Sequence, residues 1–124
     1  MLIRAVLEGV AYSQMDCLQI IEQMGVAVKS VRLSGGGAKS PFWRQLFADV
    51  FGKRVVTLET QEGSAYGVAL LSMVATGAFA SLPEACATCI REVNSVEPRQ
   101  DAAQYRDGHK QYQALYPALK AAGV

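Results

Sequence analysis

The sequence has almost no net charge, few cysteines and no long apolar run. Twelve lysines and arginines nearly balance 11 aspartates and glutamates, leaving a formal charge of +1. Such a chain has no field with which to gather phosphate backbones or to rest on an anionic bilayer, so neither nucleic acid nor a membrane is expected as a partner. Three cysteines, Cys17, Cys86 and Cys89, cannot all pair, and a disulfide scaffold needs an even and denser set. No stretch approaches the roughly 18 apolar residues of a membrane span, and the first residues lack the charged, apolar and small-residue regions of a leader. These absences lead to the expectation of a cytoplasmic protein from a reducing compartment, acting on a small partner.

What is present suffices for a core. The chain has 124 residues, 51% of them hydrophobic, and a folded chain of this length buries about two-thirds of its extended surface. No internal repeat, low-complexity tract or linker divides it, so one small domain, or a piece of one, is expected.

Apolar residues Ile3, Val6, Leu7, Val10, Cys17, Leu18, Ile21 and Met24 recur at three- and four-residue steps, predicting a long amphipathic helix that Gly25 ends. A chain that opens inside such a helix looks cut from something longer. Residues 30–33 read as a strand stopping at a glycine loop over 34–40, and Ser40-Pro41 as a helix start with Trp43, Leu46, Phe47 and Val50 on one face. Gly52 closes that helix and residues 54–59 form a second buried strand, giving a parallel βαβ unit. Residues 60–63 are a polar loop, and residues 64–77 are apolar almost all round, predicting a helix buried on most sides. Ser81 and Glu84 have capping-box spacing for a short helix to Ile90. Residues 91–101 read as a loop with a brief extended stretch at 93–96. Tyr105, Tyr112, Leu115, Tyr116 and Leu119 predict an amphipathic last helix, frayed or bent near Pro117.

The segment richest in chemical information is the loop. Three glycines between a buried strand and a capped helix allow the backbone to touch a ligand and to adopt positive φ, beyond what a plain tight turn needs. Three nucleotide readings compete. The phosphate-loop pattern fails, because Ala38 stands where the glycine before Lys39 belongs and Leu33 where the first glycine belongs. The dinucleotide fingerprint fits as Gly35-x-Gly37-x-x-Ser40, with Glu59 ending the next strand where a ribose-binding acid would sit, but Ser40 replaces the third glycine and Pro41 follows at once. It stands as a Rossmann-like, NAD-binding or non-catalytic alternative.

The third reading is a resemblance. The segment Ser34-Gly35-Gly36-Gly37-Ala38-Lys39-Ser40-Pro41-Phe42-Trp43-Arg44-Gln45 and the helix it opens resemble the adenosine motif of the FGGY carbohydrate kinases, most closely the xylulose kinases among them. Arg4 to Tyr12 resembles the helix preceding that motif, and Glu62 to Leu71 the helix after the second strand. Three motifs in the same order cover roughly residues 3 to 90, and the last helix matches more loosely. The resemblance implies an α/β chain equivalent to the C-terminal part of an actin-like ATPase (ribonuclease H-like) domain, a βαβ core with several surrounding helices, taken from the second domain of an ATP- and Mg²⁺-dependent sugar kinase. It implies that Gly36 and Gly37 lie against the nucleotide, that Ser40 hydrogen-bonds near the base, that Gly35 shapes the turn and that Gly67 lets its helix approach another element. Valine at Gly36 or Gly37 is then expected to abolish nucleotide binding with little loss of fold. No Asp-x-Gly-Thr phosphate loop and no segment supplying a catalytic aspartate is found in these residues, so the chain alone is not expected to phosphorylate anything. Only two strands are readable, and their open edges predict self-association.

Other residues carry blander readings. Cys86-x-x-Cys89 reads as two small core-facing residues, since a zinc site needs two more ligands and only His109 is spare. His109 reads as a boundary side chain, Glu8 and Asp49 as salt-bridged or solvated helix carboxylates, and Trp43 as core. No residue is assigned as catalytic or as a metal ligand.

Overall fold

The computed structural model describes residues 1–60 and 63–123; Gln61 and Glu62 of the expected polar loop, and the Glu62 end of the third resembling motif, lie outside them. The elements run α1 (Leu2–Gln23), β1 (Ser30–Leu33), a 3₁₀ turn (Gly36–Lys39), α2 (Pro41–Phe51), β2 (Arg54–Leu58), α3 (Ser64–Ala75), α4 (Leu82–Cys89), β3 (Glu92–Val96) and α5 (Ala103–Ala121). β1 and β2 pair in parallel, Val31 opposite Val55 and Leu33 opposite Thr57, as the βαβ reading requires. The extended stretch at 93–96 becomes a true third strand, antiparallel to β2, with an irregularity between Thr57 and Leu58. The sheet order is therefore β1-β2-β3, one strand more than the two readable from sequence. β3 reads from sequence as no more than a brief extended stretch because its residues Glu92, Asn94 and Ser95 are polar and four of its five positions are exposed.

The core forms around α2. Leu46, Phe47, Ala48, Val50 and Phe51 meet Ala11, Tyr12 and Leu18 of α1, Val55 of β2 and Tyr105 of α5. Trp43 packs against this cluster and stacks on Phe47, ring centroids 5.0 Å apart. Because α2 lies amid so many elements, even its carboxylate is enclosed. Asp49 is 2% exposed and accepts from Arg99 N at 2.9 Å, Arg99 Nε at 2.9 Å, Arg99 Nη2 at 2.7 Å and Gln45 Nε2 at 2.9 Å. The Asp49 side chain raises the Arg99 pKa above its ordinary value by hydrogen bond and charge. Asp49 thus pins the segment before α5 to α2, the structural outcome expected of it. Glu8 likewise pairs with Arg4 at 2.7 Å.

Two helices depart from expectation. The stripe predicted to bury α1 is turned partly outward: Leu18 is buried as expected, but Ile3, Val6, Val10 and Ile21 are exposed and Ala11 and Tyr12, outside the stripe, are buried. α3, expected to be enclosed, buries only Leu70, and Val68 is 62% exposed. Its apolarity is real, but among the described residues it is α4 that packs on it, with Tyr66 Oη donating to Cys89 O at 2.7 Å. α4 is as predicted, capped by Ser81 Oγ accepting from Glu84 N, with Glu84 Oε2 accepting from Ala80 N. Cys86 and Cys89 on it are half-buried free thiols.

α5 runs through Pro117 to Ala121 without the expected fraying, its carboxyl half being exposed, where water can serve the carbonyl that proline's missing N–H leaves free. Its first half docks on α1. His109, expected at the boundary, is 5% exposed and bonds through Nε2 to Asp16 Oδ1 at 2.8 Å, beside the Tyr12 and Tyr112 rings. Gly108 permits a close approach here, because a Cβ on it would collide with Tyr12 Oη and lie 3.1 Å from Tyr12 Cζ, so that the tyrosine would have to shift. No helix among the described residues is long and apolar enough to cross a membrane.

Candidate functional site

The glycine turn links the end of β1 to the start of α2. Gly35 has φ 84° and ψ −177°, a conformation open in practice to glycine alone, so it shapes the turn as expected. The next four residues close a 3₁₀ turn, Ala38 N donating to Gly35 O and Ser40 N to Gly37 O, each at 3.1 Å. Ser40 then caps α2: its Oγ accepts from Trp43 N at 3.4 Å, its carbonyl accepts from Arg44 N at 3.1 Å, and Pro41 fills the first helical position. With its oxygen used as the cap, the Ser40 hydroxyl keeps its proton to donate.

The structure brings Gly36, Gly37 and Ser40 into one turn but gives the two glycines different surroundings. A Cβ on Gly36 would meet nothing within 4 Å, whereas a Cβ on Gly37 would lie 3.2 Å from Trp43 Cδ1 and Nε1. Among the described residues none comes near the Cβ position of Gly36, which is exposed, whereas the Trp43 indole stands over Gly37. A Cβ on Gly67 would meet nothing within 4 Å among the described residues.

Two concavities flank the turn. One, about 300 Å³, opens at the carboxyl ends of β1 and β2 between Ser34, Lys39, Thr57, Glu59 and Asn94. The other, about 360 Å³, runs between Val10, Val31, Gly37, Trp43 and Phe47. Neither is lined by Gly36 or Ser40. Sequence reading missed Arg44, whose Nη1 donates to Ala38 O at 2.7 Å and Lys39 O at 3.1 Å, locking the turn onto α2. Its position four residues after the cap was the available clue.

This arrangement, a strand, a glycine turn and a capped helix bearing a bare shelf, can be set against known proteins. Residues 1–76 match the family model of the C-terminal domain of the FGGY family of carbohydrate kinases. The chain belongs to the FGGY carbohydrate kinase family. Among curated FGGY relatives, a xylulose kinase of Bacillus subtilis is 34% identical over 119 residues, 95% of this chain and 24% of that protein. The L-xylulose/3-keto-L-gulonate kinase of Escherichia coli is 33% identical over 120 residues, 96% of this chain and 24% of that protein. The crystal structure of a xyloylose kinase from Brucella ovis superposes with a TM-score of 0.85 at 31% identity, covering 98% of this chain and 25% of that one. The chain thus spans about a quarter of these FGGY relatives, and its fold is that of part of an actin-like ATPase domain.

Proposed function

We propose that this chain is the C-terminal part of the second domain of an ATP-dependent carbohydrate kinase of the cytoplasm, and that it supplies half of the adenosine pocket. The observation that carries this reading is the match of residues 1–76 to the C-terminal domain of the FGGY carbohydrate kinases, with the glycine turn and the Ser40 cap inside the matched span. In the parent enzyme the γ-phosphoryl of ATP passes to a sugar hydroxyl. D-xylulose, going to D-xylulose 5-phosphate, is the preferred acceptor, since several of the relatives are named xylulose kinase.

Phosphoryl transfer of this class consists of positioning and charge neutralisation, with no covalent bond to the protein. Among the described residues no group of three or more His, Cys, Asp or Glu is placed to hold a metal; Mg²⁺ in the parent enzyme would be held by the nucleotide phosphates with one or two carboxylates. This chain's residues act on the nucleoside: Gly36 allows the purine riboside to lie against the backbone, and Ser40 offers its proton to a purine acceptor. The base that takes the sugar proton comes from outside these residues.

The complete kinase, assayed with ATP against pentuloses, hexuloses, gluconate and polyols, is expected to give its highest kcat/KM with D-xylulose, and residues 1–124 alone to transfer no phosphate. Absence of ATP-dependent phosphorylation across the whole panel contradicts the proposal, and a clear preference for another acceptor corrects the substrate.

A further inference from the structure

Consecutive residues of α2 hold the glycine turn from two sides. The Trp43 indole lies against Gly37, 3.2 Å from where its Cβ would be. Arg44 Nη1 takes the carbonyls of Ala38 and Lys39 at 2.7 and 3.1 Å. The cost of that placement is visible, because Arg44 Nε is buried without a hydrogen-bond partner. Buried donors are nearly always satisfied, so a guanidinium held where one of its N–H groups goes unmet is held there for the bonds its other nitrogen makes.

The two carbonyls belong to the peptide planes 38–39 and 39–40. Both planes lie between Gly36 and Ser40, the two groups that present the contact face. With both oxygens engaged the two planes are restrained, and with them the path of the main chain from the 3₁₀ turn into Ser40. We infer that Arg44 is a positioning residue for the adenosine shelf, setting affinity for ATP through the turn without touching the nucleotide. This inference rests on the kinase reading above. A lysine reaches such a pair of carbonyls only as a flexible point charge, whereas the planar guanidinium is preorganised.

The test compares wild-type, Arg44→Lys and Arg44→Met forms of the complete kinase, varying ATP at saturating sugar and sugar at saturating ATP, with a thermal melt of each. Arg44→Met is expected to raise KM for ATP about tenfold, while kcat and the sugar KM stay within about twofold; Arg44→Lys is expected to restore part of the loss, leaving about threefold. A merely structural arginine would lower the melting temperature and damage all three constants together, and that pattern overturns the inference. An unchanged ATP KM in a normally melting Arg44→Met enzyme overturns it as well. Where Arg44→Met does not fold, Arg44→Lys decides: an ATP KM raised about threefold with a native melt supports the inference, and an unchanged one overturns it. Wild-type enzyme that does not use ATP sinks the kinase reading and this inference with it, whereas wild-type enzyme that uses ATP beside an indifferent Arg44→Met sinks the inference alone.

Discussion

At the scale of single residues, Gly36 and Gly37 have different surroundings, open space at the first and the Trp43 indole at the second. Gly36 carries no positive φ, and a side chain there would enter open space. Gly36→Val is therefore expected to leave the thermal melt within a degree or two while removing nucleotide binding. Gly37→Val pushes against Trp43 and is expected to cost about 1–3 kcal/mol of stability as overpacking does, with weaker binding as a consequence. Thermal melts alongside titration of ATP against fluorescence of Trp43, the only tryptophan, distinguish the two. Equal losses of stability from both variants would show that Gly36 is structural. Sequence alone placed this turn, its cap and its glycine at Gly35 correctly, because cap and turn chemistry act over four or five neighbouring residues. It could not tell Gly36 from Gly37, because the difference is the rotamer of Trp43 six residues on.

At the scale of elements, the docking of α5 on α1 turns on one close approach. Gly108→Ala is expected to destabilise the chain by about 1–3 kcal/mol, because the added methyl collides with the Tyr12 hydroxyl. Removing that oxygen in a Gly108→Ala/Tyr12→Phe double variant should recover part of the loss, measured by urea unfolding; no recovery would place the strain elsewhere. The same hydroxyl sets a pH dependence. Burial, then the charges of Glu8 and Tyr105, raise the Tyr12 pKa above the ordinary 10.0, Arg4 acting in the opposite sense. The unfolded chain then loses its Tyr12 proton first, so this contribution to stability is complete below pH 10 and disappears as pH rises through the folded value. Tyr12→Phe should lose less stability than wild type between pH 9 and 11, and identical slopes would contradict the assignment. The helices and two parallel strands were legible from period and punctuation. Which helices are enclosed was not, since an apolar stripe shows that a face seeks a partner and does not say whether this stretch of chain contains it. α1 and α3 carry such faces unmet, while α2, marked by Arg44, Gln45 and Asp49, is the one surrounded.

At the scale of the whole molecule, those unmet faces have a consequence. Ile3, Val6 and Val10 on α1 and Val68 and Leu71 on α3 are exposed, and apolar surface of that kind favours association. Residues 1–124 are expected to self-associate, with light scattering giving a mass that grows with concentration; a constant monomer mass at high concentration would contradict this. The same surfaces agree with a chain spanning about a quarter of its relatives. That Gly36 and Ser40 form the wall on which the adenosine of ATP rests is tested most directly by a crystal structure of the complete kinase soaked with ADP. The expected result is the purine riboside in van der Waals contact with the Gly36 main chain and within hydrogen-bonding distance of Ser40 Oγ; ADP bound elsewhere, with the Gly36 face covered by side chains, would contradict it.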